Sequence, residues 1–553
     1  MEPWLVSSKR ESCVSLRRVV LVLLSAALHG LAFPPVSLWP VAWFALVPLF
    51  RGLRGVGPGA AILLGLLWGT AAIWSVGHWV PGALSFYYEQ PPWFGVLFAL
   101  VASVFFAGSY SAGFGACHGL VVPRLGYAGR LIYVPALWVA WELARARLLT
   151  GEPWLLLGYA LGPAPSLIQA ADLGGVPLLS FAIVLVNVAL AEGIAIAQPR
   201  RLLAIATPPA LVIAALLAYG RYRLASPFPN APAFPVTVIQ GNNDLHTQWR
   251  QEFYGKGLVE YLRMSVAAGA RHRPSLLVWP ESAVTFFPAR DENYRVSIAR
   301  TLASIGADLI VGGPHHEGGE DARRYFNSAF YLTSKGTIAG RYDKTHLLPF
   351  AEYFPLRTIE FLRRRFERVR YFTAGDEPVL LDTRLGKVAV VICFEGIFPE
   401  LVREQMQRGA RLLVNLSNDA WLGEGAGLEQ HLAMVAFRAV ENRTWIVRAA
   451  TTGISAFIDP YGRIVARTPA AEVAQLDGEV VPLDVSTVYR RVGDLFAWAC
   501  VLGSAITLLA VATRRARVVR TRPSAPEAAP SEGPAGRRPN PAPASGEPPP
   551  RAS

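Results

Sequence analysis

Charge is scarce in this chain, and acidic charge scarcest. Only 17% of its 553 residues are charged against 52% hydrophobic, where soluble domains carry about 25% charged. That deficit argues against an ordinary soluble protein and makes a membrane protein the first reading. The 53 Lys and Arg outnumber the 40 Asp and Glu, for a net charge of +13, which on a soluble domain would suggest nucleic acid. Many of the basic residues instead flank apolar runs, as Lys9, Arg10, Arg17 and Arg18 do. Such placement serves membrane topology, and no nucleic-acid partner is expected. Cysteine is rarer still, with four in all, no two of them at the spacing of a zinc pair, so no metal site is expected. A Walker-type phosphate loop is also missing, and no cofactor is implied. Cys13 precedes the first apolar run, Cys117 and Cys500 lie inside apolar runs, and only Cys393 falls in the long polar region.

What the chain has in abundance is apolar runs of spanning length. They cover about 16–33, 36–50, 58–80, 93–122, 131–149, 175–197 and 201–219, and an eighth covers 494–513. An even number places both termini on one side and the polar region between the seventh and eighth runs on the other. Arg51 and Arg54, Arg124 and Arg130, Arg200 and Arg201, and the five arginines from Arg514 to Arg522 lie in loops on the side of the termini. The facing loops around Pro34 to Ser37 and Pro81 to Pro92 have no Lys or Arg. The termini are therefore expected in the cytoplasm and the polar domain outside it, with Arg145, Arg147, Arg221 and Arg223 as exceptions. Gly30-Leu31-Ala32 would serve as a signal-peptide cleavage site, but the following spans favour an uncleaved anchor.

The expected organisation is a cytoplasmic segment 1–15, a seven-span polytopic α-helical membrane domain 16–222, a catalytic domain 223–492, an eighth transmembrane helix 493–513 and a basic, Pro/Ala-rich tail 514–553. The tail cannot bury a core and is expected to be disordered. From Pro235 to about Arg490, short β-branched runs such as Val236 to Gln240 and Val388 to Ile392 alternate with helical patterns. This texture reads as an α/β domain with a buried sheet.

Three segments end a buried strand with a reactive side chain, which is where open α/β sheets place their sites. They are Leu277 to Glu281, Tyr342-Asp343-Lys344, and Val391-Ile392-Cys393. A thiolate nucleophile, a shielded carboxylate to take its proton and an ammonium to offset an oxyanion make a set for acyl transfer. Singly, each has a structural reading: a core cysteine, a helix-capping glutamate, a solvated lysine. Their combination outweighs those readings.

The segments Trp279-Pro280-Glu281, Lys344 to Phe350 and Ile392 to Glu395 resemble, in order, the three signatures of the nitrilase superfamily. Together with the spans, Pro349 to Tyr353 and Ser417 to Gly423 resemble its membrane-embedded branch, the apolipoprotein N-acyltransferase family, over about residues 16–513. The resemblance implies an α-β-β-α sandwich on a membrane base in the bacterial inner membrane, with the catalytic domain periplasmic. It implies a phospholipid acyl donor and a diacylglyceryl-cysteine lipoprotein acceptor. Carried over by position, Glu281 is the general base and acid, Lys344 the oxyanion stabiliser and Cys393 the nucleophile, with the Phe394 N–H a second oxyanion donor. Trp249, Glu352 and Glu395 match family positions near the active site. Phe394 departs from the tyrosine many members carry there, which puts one secondary hydrogen bond in doubt.

Residue chemistry then implies a thioester on Cys393, cleared by the lipoprotein amine and shielded from water. Leu356, Ile359, Leu362, Phe366 and Val369 recur at helical spacing among Arg357, Arg363, Arg364, Arg365 and Arg368. This basic amphipathic segment suits either a membrane-surface wall of the substrate entrance or an ordinary surface helix. His315-His316-Glu317 lacks a third metal ligand and is expected as a solvated loop. A membrane-tethered amidase is the competing enzyme reading. A transporter with a ligand-binding outer domain is the competing non-enzyme one, opposed by the scarcity of intramembrane charge beyond Glu142 and Glu192.

Overall fold

A computed structural model describes residues 14–194, 198–243, 251–319, 323–355, 358–365, 371–423 and 425–520. The chain forms two compact units, 1–508 and 509–553. The described part of the second is the end of the helix Leu495–Arg520.

The first unit begins with a helical part. Among the described residues, five helices are long and apolar enough to cross a membrane: Pro58–Val76, Pro92–Arg124, Ala171–Gly193, Leu202–Ala225 and Leu495–Arg514. Leu16–Leu31 is shorter, and Tyr127–Arg147 is of spanning length but carries Arg130, Glu142, Arg145 and Arg147. Small residues let these helices touch backbone to backbone, as is common where lipid supplies no hydrophobic drive. A Cβ on Gly65 would lie 2.2 Å from the Ser111 carbonyl oxygen, and one on Gly115 2.1 Å from that of Ala61.

The stretch 36–50, expected as a spanning run, is not one helix. It folds as a 3-10 turn Trp39–Trp43 and a short helix Val47–Gly52. Pro40 and Pro48 each sit at a helix start, where a missing N–H is tolerated and continuation of a preceding helix is not. The segment nevertheless runs back along Leu16–Leu31. Ser25 Oγ donates to the Ala45 carbonyl at 2.7 Å, and Arg18 Nη1 to that of Gly52 at 2.8 Å. Irregular backbone at this depth must find partners within the protein. The fully buried Asn187 supplies them: its Oδ1 accepts from Leu46 N–H and its Nδ2 donates to the Ala42 carbonyl, both at 2.8 Å. Glu142 and Glu192 are engaged as well. Glu142 accepts from Trp138 Nε1 at 3.0 Å and Leu157 N–H at 2.8 Å, and Glu192 pairs with Arg130 at 2.9 Å.

The polar part is a sandwich of two six-stranded sheets. The strands are β1 (Phe234–Gln240), β2 (Leu276–Trp279), β3 (Asp308–Glu317), β4 (Arg324–Leu332), β5 (Ile338–Asp343), β6 (Leu381–Thr383), β7 (Gly386–Ile392), β8 (Leu412–Ser417), β9 (Ile446–Ala450), β10 (Ala456–Ile458), β11 (Ile464–Arg467) and β12 (Ala474–Val480). One sheet runs β12-β1-β2-β3-β4-β5 and the other β11-β10-β9-β8-β7-β6. The centres β1-β2-β3 and β7-β8-β9 are parallel and the outer strands antiparallel. Strand alternation builds the layers. Leu276, Val278, Val388 and Val390 face the core between the sheets, whereas Leu277 and Trp279 face the helices Gln251–Arg271 and Glu292–Ile305 outside the first sheet. The helices Pro399–Gln407 and Ala426–Asn442 accompany the second sheet, completing α-β-β-α. His315 to Glu317, expected as a loop, is instead the end of β3, its backbone paired with Arg324 to Phe326 of β4.

Buried polar groups join the two parts. Gln430, on Ala426–Asn442, uses its whole amide: Oε1 accepts from the indoles of Trp79 and Trp154, both at 3.0 Å, and Nε2 donates to the carbonyls of Pro34 at 2.9 Å and Val76 at 3.0 Å. Just past the end of the same helix, Arg443 pairs with Asp172 of Ala171–Gly193 at 2.6 Å.

Candidate active site

Three strand ends meet in one cleft. Glu281 follows β2 by two residues, Lys344 directly follows β5 and Cys393 directly follows β7. All three line one open cleft with Asn327, Glu352, Asn418, Phe372, Trp421 and Tyr87. Tyr87 belongs to the helix Val80–Tyr88, so a wall of the cleft comes from the helical part.

Glu281 is buried yet held at every oxygen. Asn327 Nδ2 donates to Oε1 at 2.7 Å, Asn418 N–H to Oε2 at 2.6 Å, and Thr451 Oγ1 to the backbone carbonyl at 2.8 Å. Burial, opposed by Lys344 and reinforced by Glu352, pushes the carboxyl up to about 7. It can thus take up and release a proton near neutrality.

Lys344 is 1% exposed and its Nζ lies 2.8 Å from Glu352 Oε2. Burial opposes its charge, but Glu352, Glu281 and Cys393 together outweigh that and hold the ammonium protonated well beyond its ordinary range. Glu352 is fixed in turn by Leu348 N–H at 2.8 Å and by Asn327 Nδ2 at 2.7 Å. The one Asn327 amide therefore bridges both carboxylates.

Cys393 opens a 3-10 turn, Cys393–Ile397, with φ at +52°. A left-handed backbone on a non-glycine residue costs on the order of 1 kcal/mol or more and recurs at functional sites. Burial, then Glu281, push its thiol up to about 12 against the pull of Lys344. The resting group is a thiol, so attack requires a base. Behind it, the His431 ring nitrogens lie 3.0 Å from Asp419 Oδ1 and 3.2 Å from the Cys393 carbonyl. Burial opposes the Asp419 charge, but Arg448 and His431 outweigh it and hold that carboxyl well below its usual range.

Glu395 does not reach the cleft wall. Fully buried, it accepts from Ile392 N–H at 2.8 Å, Thr345 N–H at 2.8 Å, His346 N–H at 2.9 Å and Tyr342 OH at 2.7 Å. One carboxylate thus ties the Cys393 turn to the Lys344 loop. Phe394 packs its ring on Phe398, with centroids 5.0 Å apart. Trp249 lies outside the described residues, as do Leu356, Arg357, Phe366, Arg368 and Val369 of the amphipathic segment. Its described helix is Glu360–Arg365, whose Arg365 donates to Gln90 Oε1 at 3.0 Å and lies 5.9 Å from the Trp93 ring centre. The sequence reading missed Asn327, Tyr342 and His431. For Asn327 the only signal was a polar Asn-Ser pair between the aromatic and apolar residues Tyr325 to Phe326 and Ala329 to Leu332.

A nitrilase-type sandwich with Glu, Lys and Cys at its strand ends defines a carbon-nitrogen hydrolase scaffold, and that family matches residues 236–483. The N-terminal domain family of apolipoprotein N-acyltransferase matches residues 25–189. The apolipoprotein N-acyltransferase of Geobacter metallireducens is 39% identical over 90% of this chain and 96% of its own length. Those of Azotobacter vinelandii and Pseudomonas putida are 34% and 32% identical over 91% and 85% of this chain, and 96% and 92% of their own lengths. The chain belongs to the apolipoprotein N-acyltransferase family and is a membrane acyltransferase. A likeness to the C. elegans NitFhit protein, 22% identical over 49% of this chain and 65% of that one with a TM-score of 0.36, adds nothing to that assignment.

Proposed function

We propose that this enzyme moves a fatty acyl group from a phospholipid, through a thioester on Cys393, to the N-terminal amine of a diacylglyceryl-cysteine lipoprotein. Glu281 takes the Cys393 proton as sulfur attacks the ester carbonyl. Lys344 and the Phe394 N–H, next in the turn, offset the oxyanion. Collapse breaks the ester C–O bond, and Glu281 returns the proton to the departing lysophospholipid oxygen. The acceptor amine then attacks the thioester, loses a proton to Glu281, and leaves an amide with the thiol restored. Glu352, Glu395 and Asn327 act as positioning residues, and Trp249 is proposed near the acyl or acceptor site on its family position alone.

The observation that carries this reading over amide hydrolysis is the shared wall. Tyr87 lines the catalytic cleft, and Tyr88 and Phe94 pack with Phe350 and Phe354 of the loop between Lys344 and the Glu360–Arg365 helix. Aromatic side chains of the helical part thus adjoin the cleft that holds Cys393, which suits a lipid acyl donor and a thioester kept from water. We further propose that the sandwich faces the periplasm from the inner membrane, that 16–222 and 493–513 form the membrane domain, and that 223–492 is the catalytic domain. The basic loops on the side of the termini support that orientation.

Enzyme given phospholipid without acceptor should gain the mass of one acyl group, removable by neutral hydroxylamine and absent from Cys393→Ala. An acyl group mapped elsewhere, or an active Cys393→Ala enzyme, would overturn the triad. For orientation, Glu377→Cys should react with an impermeant thiol probe on intact cells and Arg520→Cys should not.

A further inference from the structure

A second cavity opens at the opposite end of the helical part. Arg18, in the first turn of Leu16–Leu31, donates to the carbonyls of Gly52 at 2.8 Å and Arg54 at 2.9 Å, while Pro34, beyond the helix's other end, contacts Gln430 of the sandwich. Residues 51–54 therefore mark the end remote from Cys393. There a cavity open to the surface is lined by Arg51, Arg54, His118, Arg130 and Glu192. Its apolar walls include Val134, Val188 and Ile205, one from each of three helices.

The charges in it are unbalanced. Three arginines stand against one glutamate among the described lining residues, and that glutamate is already paired with Arg130 at 2.9 Å. Two buried nitrogens have no hydrogen-bond partner among the described residues: Arg51 Nη1, a donor, and His118 Nδ1, a donor in one of the two imidazole tautomers. His118 is only 6% exposed, and its ring stacks on Phe50 with planes 8° apart, which fixes its orientation. A buried, unpaired guanidinium N–H costs free energy unless a ligand satisfies it. Basic pockets with apolar walls between helices, at the level of the lipid headgroups, suit anionic lipid phosphates.

We propose that this cavity binds the phosphate of an anionic phospholipid from the leaflet opposite the catalytic cleft. Arg51 and His118 hold the phosphate oxygens, Arg54 stands at the mouth, and the acyl chains lie along the Val134, Val188 and Ile205 walls. Such a lipid is a resident ligand rather than an acyl donor, because the cavity lies at the far end from Cys393. The inference therefore stands apart from the proposed transfer chemistry.

The test uses the full chain, delipidated in neutral detergent and carrying Cys393→Ala so that no lipid is consumed. Dioleoyl phosphatidylglycerol is titrated and bound lipids are counted by native mass spectrometry. One lipid is expected to bind roughly tenfold or more weakly in Arg51→Gln and in His118→Phe, in line with losing a hydrogen bond to a charged group, while Arg51→Lys keeps most of the affinity. Glu192→Gln removes the acidic lining group and is expected to tighten that lipid, which keeps the proposal testable should Arg51→Gln fail to fold. Unchanged affinity in Arg51→Gln and Glu192→Gln would overturn the site. Equal binding of dioleoyl phosphatidylcholine, or displacement by glycerol 3-phosphate at comparable concentration, would overturn its assignment to an anionic lipid.

Discussion

Exchanging Glu352 for glutamine separates two effects that the site combines. Glu352 pairs with Lys344 at 2.8 Å and shares the Asn327 amide with Glu281. After burial, and against the pull of Lys344, its charge helps to keep Glu281 at about 7. In Glu352→Gln that repulsion is gone, and Glu281 becomes the nearest carboxylate partner for the Lys344 charge. Both changes favour ionised Glu281. Charges at this range shift a carboxyl by about one pH unit or more, worth about 1.4 kcal/mol per unit. Because the base works ionised, the wild-type rate of acyl-enzyme formation should fall as pH drops through about 7, and in Glu352→Gln that limb should move down by roughly one pH unit. The maximal rate should also fall, since a more acidic carboxyl is a weaker base and Lys344 is drawn toward it. Breaking a buried ion pair typically costs about 3–5 kcal/mol, and the loss should sit at the low end here because Lys344 keeps a carboxylate neighbour. The assay is stopped-flow acylation with a fluorescent phospholipid from roughly pH 5 to 9, alongside thermal unfolding. An acidic limb that stays put or moves up in folded protein would refute Glu281 as the titrating base and Glu352 as a source of its shift.

Gln430→Leu should leave two indole N–H groups and two carbonyls unpaired, lowering stability by on the order of 4 kcal/mol, and an unmoved thermal midpoint would show that this amide does not join the helices to the sandwich. Tyr87→Ala should raise KM for vesicle phospholipid while sparing a short soluble thioester, and equal losses on both would remove Tyr87 from the lipid path. Asn327→Leu, close in volume, should slow acylation roughly ten- to a hundredfold through the loss of one donor shared by two carboxylates. Glu395→Gln should lower acylation and thermal stability together, and a selective loss of rate with full stability would place that carboxylate in the chemistry itself.

The legible part of the site was the part written at strand ends. Glu281 and Cys393 each follow a short apolar run, whereas Lys344 follows the mixed edge strand Ile338–Asp343, in which only Tyr342 is buried; a strand's end is still a local property that a local pattern reports. Glu352 and Glu395 came from family positions, and the structure gives them distinct jobs: one balances the Lys344 charge in the cleft, the other clamps two loops from behind. Asn327 could not be read this way. Its role depends on β4 pairing with β5, where Ser328 faces Asp343, so that its own carbonyl accepts from Lys344 N–H at 2.9 Å. That register is a tertiary fact, and an asparagine in a strand is otherwise unremarked. The His-His-Glu run was misread for the same reason, since its polar residues looked like a loop while the backbone continues a ladder with β4.

The helical part shows where counting by pattern fails. Hydropathy sees 36–50 as one more span, yet its prolines break it, and only the buried amide of Asn187 lets the broken backbone lie among helices. Ser25 and Arg18 still hold that segment along Leu16–Leu31. The arginines that oppose the basic-loop rule have a related explanation. Arg145 pairs with Glu152 at 2.8 Å, Arg147 with Glu400 at 3.2 Å, and Arg223 with Asp172 at 3.1 Å. The rule concerns loop charge that acts during insertion, and a carboxylate nearby in the fold offsets the charge that remains afterwards. Among the four exceptions, Arg221 is exposed and carries the discrepancy alone. Arg147 does more than cancel: its partner Glu400 belongs to the helix Pro399–Gln407, which begins six residues after Cys393, so the charge that looked misplaced in sequence fastens the nucleophile's own segment to the end of the helix Tyr127–Arg147.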